Sequence, residues 1–259
     1  MTDACVALLL PGMSLNATIF PSFDLPTVSV DFNRLVIGPD GSSPDLLQRR
    51  MGVYAGLLDR QLGANLTWQS PRRIVVAHSF GGMLAMSWWL AHGGKGSARV
   101  DGMVLCSTTA GPMFRAARLG TRLHIPIAPL IPVWNQPFVT RMVKRLLAGS
   151  LDRIDTVDFR ALPRPTDLAI DVAGWRNTDW RAMRSFRLAL DGFDVREGLG
   201  KILVPVIVLH GDRDSVLPPA LGEALARALP RGEFRLVRGA GHGLPVTHGD
   251  QVKRAAMDL

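Results

Sequence analysis

The residues with the clearest chemical potential are a serine, two aspartates and a histidine. Each stands in a glycine-containing loop after a strand-like run: Ser79, Asp212, Asp214 and His242. A serine hydroxyl becomes a useful nucleophile at neutral pH when a histidine within hydrogen-bonding distance takes its proton. A carboxylate then fixes the tautomer of that histidine. The combination predicts nucleophilic acyl transfer, provided that the fold brings a serine, a histidine and one carboxylate together.

The serine lies where the sequence changes abruptly from a strand pattern to a helix pattern. Residues 74–76 are apolar and β-branched, which is typical of a strand buried on both faces. After Gly82 the apolar residues come without alternation and without proline, which indicates a buried helix. Ala77 and Gly81 are small enough to allow a sharp corner at Ser79. The alternative role for this serine is to cap the helix that follows.

The candidate acids and the candidate base follow two later strands. The apolar run 202–209 leads into a turn that contains both Asp212 and Asp214. The run 233–237 leads into His242, which has a glycine on either side. Histidine is the side chain best suited to move protons near neutral pH. An aspartate in such a turn can also bond to nearby backbone amides, so the residues alone leave both acids open.

Two further histidines adjoin these loops. His78 immediately precedes Ser79, and we expect it to pack beneath the corner. His210 immediately precedes the turn with the two aspartates, where we expect it to cap a strand.

Strand and helix patterns alternate along most of the chain. The strand-like runs are 6–10, 27–30, 74–76, 100–107, 202–209 and 233–237. Helical patterns cover residues 46–62, the stretch from Gly82 to His92, and residues 219–229. This alternation predicts an α/β fold with a parallel sheet and right-handed crossovers. The loops with the polar residues then share the edge where α/β sheets bind ligands.

The pattern changes in the middle of the chain. Residues 110–190 contain no run typical of a buried strand, only helical pieces interrupted by the proline-rich stretch 125–132. Aromatic residues are scattered through this segment: Trp134, Phe138, Phe159, Trp175, Trp180 and Phe186. We therefore predict a core domain formed by residues 1–109 and 191–259, with a helical subdomain inserted at 110–190.

Together these motifs resemble the α/β-hydrolase family, whose reactive residues follow in the order serine, acid, histidine. The segment around Ser79 is similar to the family's nucleophile elbow, although Ala77 stands where glycine is commonest. The spacing Gly-x-x-Asp-x-x-x-Pro at 211–218 resembles its acid turn. The resemblance implies that Asp214 is the acid, with Asp212 second, and that His242 is the base. It implies a mostly parallel, twisted sheet of about six strands flanked by helices, with residues 110–190 as a cap.

The resemblance also implies an oxyanion hole made of backbone amides. Pro11, Gly12 and Met13 follow the first strand, in the place of the family's His-Gly-x loop. The two donors would be the amides of Met13 and Phe80. Proline in place of the usual histidine leaves this chemistry intact, because the donor is a backbone group.

The activity that the resemblance implies is hydrolysis of carboxylic esters, thioesters or lactones through an acyl-enzyme, with no metal or organic cofactor. The same fold also hosts enol-lactonases, C–C bond hydrolases, acyltransferases, cofactor-free haloperoxidases and non-catalytic ligand-binding relatives, and the motifs do not separate these. Dehalogenases and epoxide hydrolases are disfavoured, since their nucleophile is an aspartate.

The charge of the chain allows an anionic partner. The formal net charge is +8, and the segment 111–200 holds 14 Lys and Arg against nine Asp and Glu. One variant of the fold cleaves a methyl ester from an acyl chain on an acidic acyl-carrier protein. The residues that would dock such a carrier are Arg115, Arg118, Arg122, Arg141, Lys144 and Arg145. An arginine-rich proteome is the alternative explanation, and no nucleic-acid-binding motif accompanies the charge.

Targeting signals are not visible in the sequence. No apolar run is long enough for a membrane span. The run 6–10 lies between Asp3 and Pro11 and is too short for a signal peptide. Cys5 and Cys106 sit in or beside apolar runs and are expected to be buried free thiols. These features predict a cytoplasmic protein.

Overall fold

The computed structural model describes residues 5–13, 15–32, 51–112, 186, 189–190, 193–214 and 216–259. Most of the predicted cap at 110–190 lies outside these residues, and so do all six basic residues of the suggested carrier-docking surface. The domain boundaries and the cap therefore stay predictions.

A single parallel sheet forms the centre of the described chain. Its strands are β1 (Cys5–Leu10), β2 (Thr27–Ser29), β3 (Arg72–His78), β4 (Gly102–Cys106), β5 (Val206–Gly211) and β6 (Gly232–Val237). The order across the sheet is β2-β1-β3-β4-β5-β6, and every pairing is parallel. The predicted sheet of about six strands is confirmed. Because all six strands run the same way, the loops at their carboxyl ends lie along one edge.

Helices and short 3-10 turns connect these strands. Within the described ranges, the helices of four or more residues are α1 (Met51–Gly63), α2 (Phe80–His92), α3 (Pro219–Ala228), α4 (Leu244–Thr247) and α5 (Gly249–Met257). The 3-10 turns of these ranges are Ala17–Ile19, Thr67–Gln69, Gly96–Ala98 and Arg196–Lys201. Helix α2 ends as predicted at His92, where Gly93 takes a left-handed φ of 59° that favours glycine.

The central strands of the sheet are buried on both faces. Val75 of β3 belongs to an apolar layer that also contains buried side chains of α1, α2 and α3. Its neighbours Ile74 and Val76 belong to a second layer, together with Val252 of α5. Because successive side chains of a strand point to opposite faces, both sets must be apolar. This explains why the central strands appear in the sequence as continuous apolar runs.

Strand β5 begins later than the sequence suggests. The apolar run starts at residue 202, whereas the strand starts at Val206. Pro205 directly precedes it, and a proline cannot donate the amide hydrogen bond that a central strand requires. Leu203 is 63% exposed, so this part of the run does not belong to the buried sheet.

Both cysteines are free thiols, as predicted. Cys106 is fully buried and Cys5 is half-buried, so the second is more accessible than expected. Burial raises the pKa of the Cys106 thiol. No helix among the described residues is long and apolar enough to cross a membrane.

Candidate active site

Four loops bring the predicted residues to the carboxyl edge of the sheet. Met13 lies just past β1, and Ser79 directly follows β3. Asp214 lies just past β5, and His242 lies in the loop that follows β6. Residues that are far apart in sequence therefore meet because parallel strands end together.

Ser79 occupies a strained corner between β3 and α2. Its φ of 51° and ψ of −117° lie in a region that residues other than glycine rarely adopt. The Ser79 amide donates to the carbonyl oxygen of Cys106 at 2.9 Å. The Ser79 carbonyl oxygen accepts from the hydroxyl of Thr108 at 2.7 Å. Such strain persists where the surroundings fix the backbone, and it concentrates at functional sites.

The glycines after this corner are required by close packing. A β-carbon at Gly81 would lie 2.1 Å from the carbonyl oxygen of Leu10 and 2.5 Å from that of Pro11. A β-carbon at Gly82 would lie 2.8 Å from the side chain of Thr108. The first turn of α2 therefore packs directly against the loop after β1, which explains the small residues in the elbow motif.

Ser79, His242 and Asp214 form a continuous hydrogen-bonded chain. Ser79 Oγ lies 3.0 Å from His242 Nε2. His242 Nδ1 lies 2.9 Å from Asp214 Oδ2 and 3.1 Å from Asp214 Oδ1. The Ser79 side chain makes no capping hydrogen bond to α2. The partner of its hydroxyl is thus the imidazole, not the helix end.

Several donors hold Asp214 as a carboxylate. Its Oδ1 accepts from the amides of Val216 at 3.0 Å and Leu217 at 2.9 Å. Its Oδ2 lies 3.2 Å from His210 Nε2. Burial alone would raise the pKa of Asp214, but hydrogen bonds from His210 and His242 hold that pKa below its usual range. The ionised acid can therefore stabilise a positive charge on His242.

Asp212 has a different role from Asp214. Its Oδ1 accepts from the amide of Gly239 at 2.7 Å, which ties the acid turn to the loop that carries the histidine. Of the two aspartates left open by the sequence, Asp214 is the one that contacts His242.

The two predicted oxyanion donors border the same cavity as Ser79. Met13 and Phe80 both line it, beside the hydroxyl and the imidazole. Within the described part of the chain, neither of their amides donates a hydrogen bond. Phe80 is also the first residue of α2, where free amides and the helix dipole favour a negative charge. The role of these two amides as oxyanion donors stays a prediction.

The rest of the cavity wall is apolar. Its described lining beyond the serine and the two histidines His78 and His242 consists of Gly12, Met13, Leu15, Phe80, Met83, Leu190 and Val216. None of these carries a charge. Among the described residues, no group of three or more His, Cys, Asp and Glu side chains is placed to hold a metal ion.

Two buried histidines contact this site in ways that the sequence did not predict. His210 was expected to cap a strand, but its Nε2 lies 2.8 Å from the carbonyl oxygen of Leu217 and 3.2 Å from Asp214 Oδ2. His78 packs beneath the corner as expected, but its Nε2 also lies 2.8 Å from the carbonyl oxygen of His242. Each histidine stands at or next to the end of a strand whose loop carries a candidate site residue, and this position in the sequence could have indicated a contact with the site.

Comparisons with known proteins agree with this architecture. A sequence model of the alpha/beta hydrolase family matches residues 5–255. The structure is similar to that of the enol-lactonase from Burkholderia xenovorans, with a TM-score of 0.66 at 20% identity. That likeness covers 99% of this chain and 91% of the other, and it shows a shared fold.

Similarity to curated proteins is local. The non-heme chloroperoxidase CPO-A1 of Kitasatospora aureofaciens is 38% identical over 61 residues, which is 23% of this chain and 22% of that protein. The bifunctional esterase/perhydrolase DCH of Acinetobacter calcoaceticus is 34% identical over 68 residues, which is 26% of this chain and 25% of that protein. The chain thus aligns with a quarter or less of the length of these relatives.

Proposed function

This chain belongs to the alpha/beta hydrolase family, and on that premise we propose that it is a serine hydrolase that cleaves carboxylic esters through an acyl-enzyme intermediate. The observation that carries the proposal is the hydrogen-bonded chain from Ser79 Oγ through His242 to the buried carboxylate of Asp214. The same three groups would also act on thioesters and lactones, since each presents an acyl carbon with a leaving group.

Acylation begins with proton transfer. His242 Nε2 takes the proton of Ser79 as the hydroxyl oxygen attacks the ester carbonyl carbon. The imidazole becomes positively charged, and the ionised Asp214 beside Nδ1 stabilises that charge. The carbonyl oxygen becomes an oxyanion that accepts hydrogen bonds from the amides of Met13 and Phe80. Loss of one such donor costs about 3–4 kcal/mol of transition-state stabilisation in comparable enzymes.

Acylation ends as the first tetrahedral intermediate collapses: His242 gives its proton to the departing alcohol, and the acyl group stays on Ser79. Deacylation then uses the same groups, with water in place of the alcohol. Water then attacks the acyl carbon while His242 takes one of its protons. The second intermediate breaks the bond to Ser79 Oγ, which recovers its proton, and the free acid departs.

The described cavity wall favours uncharged acyl groups. Its side chains beyond the serine and histidines are apolar, so a charged substituent there would lose water without gaining a partner. We therefore expect p-nitrophenyl acetate and butyrate to be hydrolysed faster than an ester of a short dicarboxylic acid. A faster reaction with the charged ester would contradict this substrate class.

The role of Ser79 is tested by a matched pair of serine variants. Ser79→Ala removes the nucleophile, and kcat for p-nitrophenyl acetate should fall by at least about 1,000-fold with the fold intact. Ser87→Ala, in the same helix α2, should leave kcat within about twofold of the wild type. Activity of the Ser79 variant within a few-fold of the wild type would refute the proposal.

Perhydrolysis is a second candidate reaction, which the local similarity to an esterase/perhydrolase favours. Hydrogen peroxide would replace water, lose one proton to His242 and attack the acyl carbon on Ser79. The products would be a peracid and the free hydroxyl of Ser79. Formation of peracid from acetate ester and peroxide, absent in Ser79→Ala, would support this reaction; ester hydrolysis without any peracid would exclude it.

A further inference from the structure

His78 is a buried side chain that has no part in the chemistry above. It is the last residue of β3 and is only 2% exposed. Its Nε2 lies 2.8 Å from the backbone carbonyl oxygen of His242. A carbonyl oxygen can only accept, so His78 Nε2 carries the hydrogen and donates. The two imidazole rings lie 5.0 Å apart between their centroids.

The ring of His78 stays neutral. Burial and the neighbouring His242 lower the pKa of His78 to about 3. With the hydrogen on Nε2, the other nitrogen of the neutral ring carries a lone pair. That nitrogen, Nδ1, is buried and has no hydrogen-bond partner among the described residues. The single hydrogen bond to His242 therefore selects the tautomer of His78.

The opposite side of the His78 ring contacts the loop that carries the first oxyanion donor. A β-carbon at Gly12 would lie 2.8 Å from His78 Nδ1 and 3.2 Å from its Cε1. Gly12 directly precedes Met13, whose amide is one of the proposed donors. His78 thus lies between the oxyanion loop and the backbone of the catalytic base.

The two residues adjacent to His242 are glycines and offer it no side chains, whereas Ala240 and Leu244, one residue further out, are fully buried. Glycines at 239, 241 and 243 surround His242, and Gly239 has a φ of 78°. Strand β3, by contrast, is central in the sheet and pairs with β1 on one side and β4 on the other. A donor at the end of β3 therefore adds a contact to a rigid strand at His242 itself, between the buried residues Ala240 and Leu244.

We propose that His78 is a positioning residue, which holds the backbone of His242 through its Nε2–H and sets the spacing between His242 and the loop at Gly12. Its ring lines the cavity, but it acts on the reaction through the backbone of His242. Its effect is to keep His242 Nε2 within hydrogen-bonding distance of Ser79 Oγ. This inference rests on the proposed function, because it concerns the same reaction.

The test compares two substitutions of similar length. In His78→Gln the side-chain amide nitrogen can reach the position of the imidazole Nε2 and donate to His242. In His78→Met the side chain is comparably long and suits a buried site, but it has no donor. Misplacement by about 1 Å can cost on the order of 100-fold in rate. We expect kcat for p-nitrophenyl acetate to fall about 10- to 100-fold in the methionine variant.

Further readouts separate positioning from a general loss of structure. KM in the methionine variant should stay within about twofold of the wild type, and the glutamine variant should keep kcat within about threefold. The rate of inactivation by a fluorophosphonate should follow kcat, because it reports the reactivity of Ser79 directly. If the methionine variant does not fold, His78→Asn replaces it, since its shorter amide cannot reach the carbonyl oxygen of His242.

Two results would overturn the inference. One is equal kcat in the donor-bearing and donor-free variants. The other is a rise in KM with kcat unchanged in the methionine variant. A wild-type protein without hydrolytic activity would instead contradict the proposed function, and the inference would fall with it. Measuring the wild type first keeps the two failures apart.

Discussion

The carboxylates of Asp214 and Asp212 show that the contacts of a single side chain determine what it can do at this site. Two backbone amides and two histidine side chains surround a buried acid that would otherwise resist ionisation. Asp212 is only two residues away, yet its carboxylate contacts the amide of Gly239. Two aspartates that are close in sequence thus make different contacts. Asp212 can serve as the matched control for substitutions of Asp214.

Replacing the acid should slow the reaction severely. In Asp214→Asn the amide cannot stabilise a charged His242 and can hold it in the wrong tautomer, which costs about 10,000-fold in kcat in a comparable triad. Asp212→Asn should lower kcat by no more than a few-fold. Esterase assays of both variants check this expectation, and an equal loss in the two would remove the assignment of the acid.

The buried neutral His78 should also make stability depend on pH. Its pKa is about 3 in the folded protein and about 6.5 when unfolded, so the unfolded chain binds more protons between these values. The protein should therefore lose stability as the pH falls below about 6.5, by about 2–3 kcal/mol between pH 7 and 4.5 from this residue alone.

Urea denaturation of the wild type and of His78→Met, at pH 7 and pH 4.5, measures this contribution. The difference in unfolding free energy between the two pH values should be about 2–3 kcal/mol smaller in the variant. Both pH values lie above the pKa of about 3.9 that an aspartate has in an unfolded chain, so protonation of Asp214 contributes little to this difference. Identical pH dependence in both proteins would show that His78 is not held neutral.

At the level of elements, helix α3 packs against His210, which in turn contacts the acid turn at Asp214. A β-carbon at Gly222 of α3 would lie 2.3 Å from Nδ1 of His210, the histidine whose Nε2 faces Asp214. Gly52 of α1, in contrast, has no atom of the described residues within 4 Å of the place where its β-carbon would be. The two glycines share helical surroundings but differ in what an added methyl group would meet.

Alanine substitutions at these two glycines should have opposite effects. Alanine favours a helix over glycine by up to about 1 kcal/mol, so Gly52→Ala should raise the free energy of unfolding. Gly222→Ala should lower it by about 1–3 kcal/mol through overpacking, and should lower kcat as His210 moves. Urea denaturation and esterase assays check both. Stabilisation by both changes would mean that α3 does not press on His210.

The sequence predicted the elements well where apolar burial decides them. The strands that end before Ser79 and Asp214 are apolar on both faces, and their alternation with helices predicts an α/β fold with a parallel sheet. The resemblance of the motifs to the α/β-hydrolase family supplied the rest of the fold. Boundaries were harder, as the start of β5 shows, because Pro205 outweighs the apolar residues before it. The sharp corner at Ser79 was predictable because it requires small residues close to it in the sequence, and Ala77, Gly81 and Gly82 are small.

The positions of His78 and His210 beside the candidate loops were visible in the sequence, but their backbone partners were not predictable. Each histidine contacts a backbone carbonyl, which no side-chain pattern marks, and His210 also lies beside the carboxylate of Asp214. For His78 the partner lies 164 residues away in the chain. Such contacts depend on how loops from different strands meet, which a linear pattern does not record.

For the molecule as a whole, the net charge of +8 leads to a prediction about partners. An ester carried on an acidic carrier protein should react with a kcat/KM that falls as salt rises, because salt screens the attraction. Free p-nitrophenyl acetate should show little change. Charge reversal at Arg115, Arg118 and Arg122 should weaken only the carrier-linked reaction. Equal effects on both substrates, or on neither, would remove the idea of an acidic carrier.

The central claim is that Ser79 is the nucleophile, and covalent labelling tests it most directly. The intact protein is treated with a fluorophosphonate and digested with trypsin, and the peptide 74–95 is fragmented in a mass spectrometer. This peptide contains both Ser79 and Ser87. We predict one phosphonyl group per folded chain, on Ser79, and none after His242→Ala. A label on Ser87 or another residue, or no label on folded wild-type protein, would contradict the account.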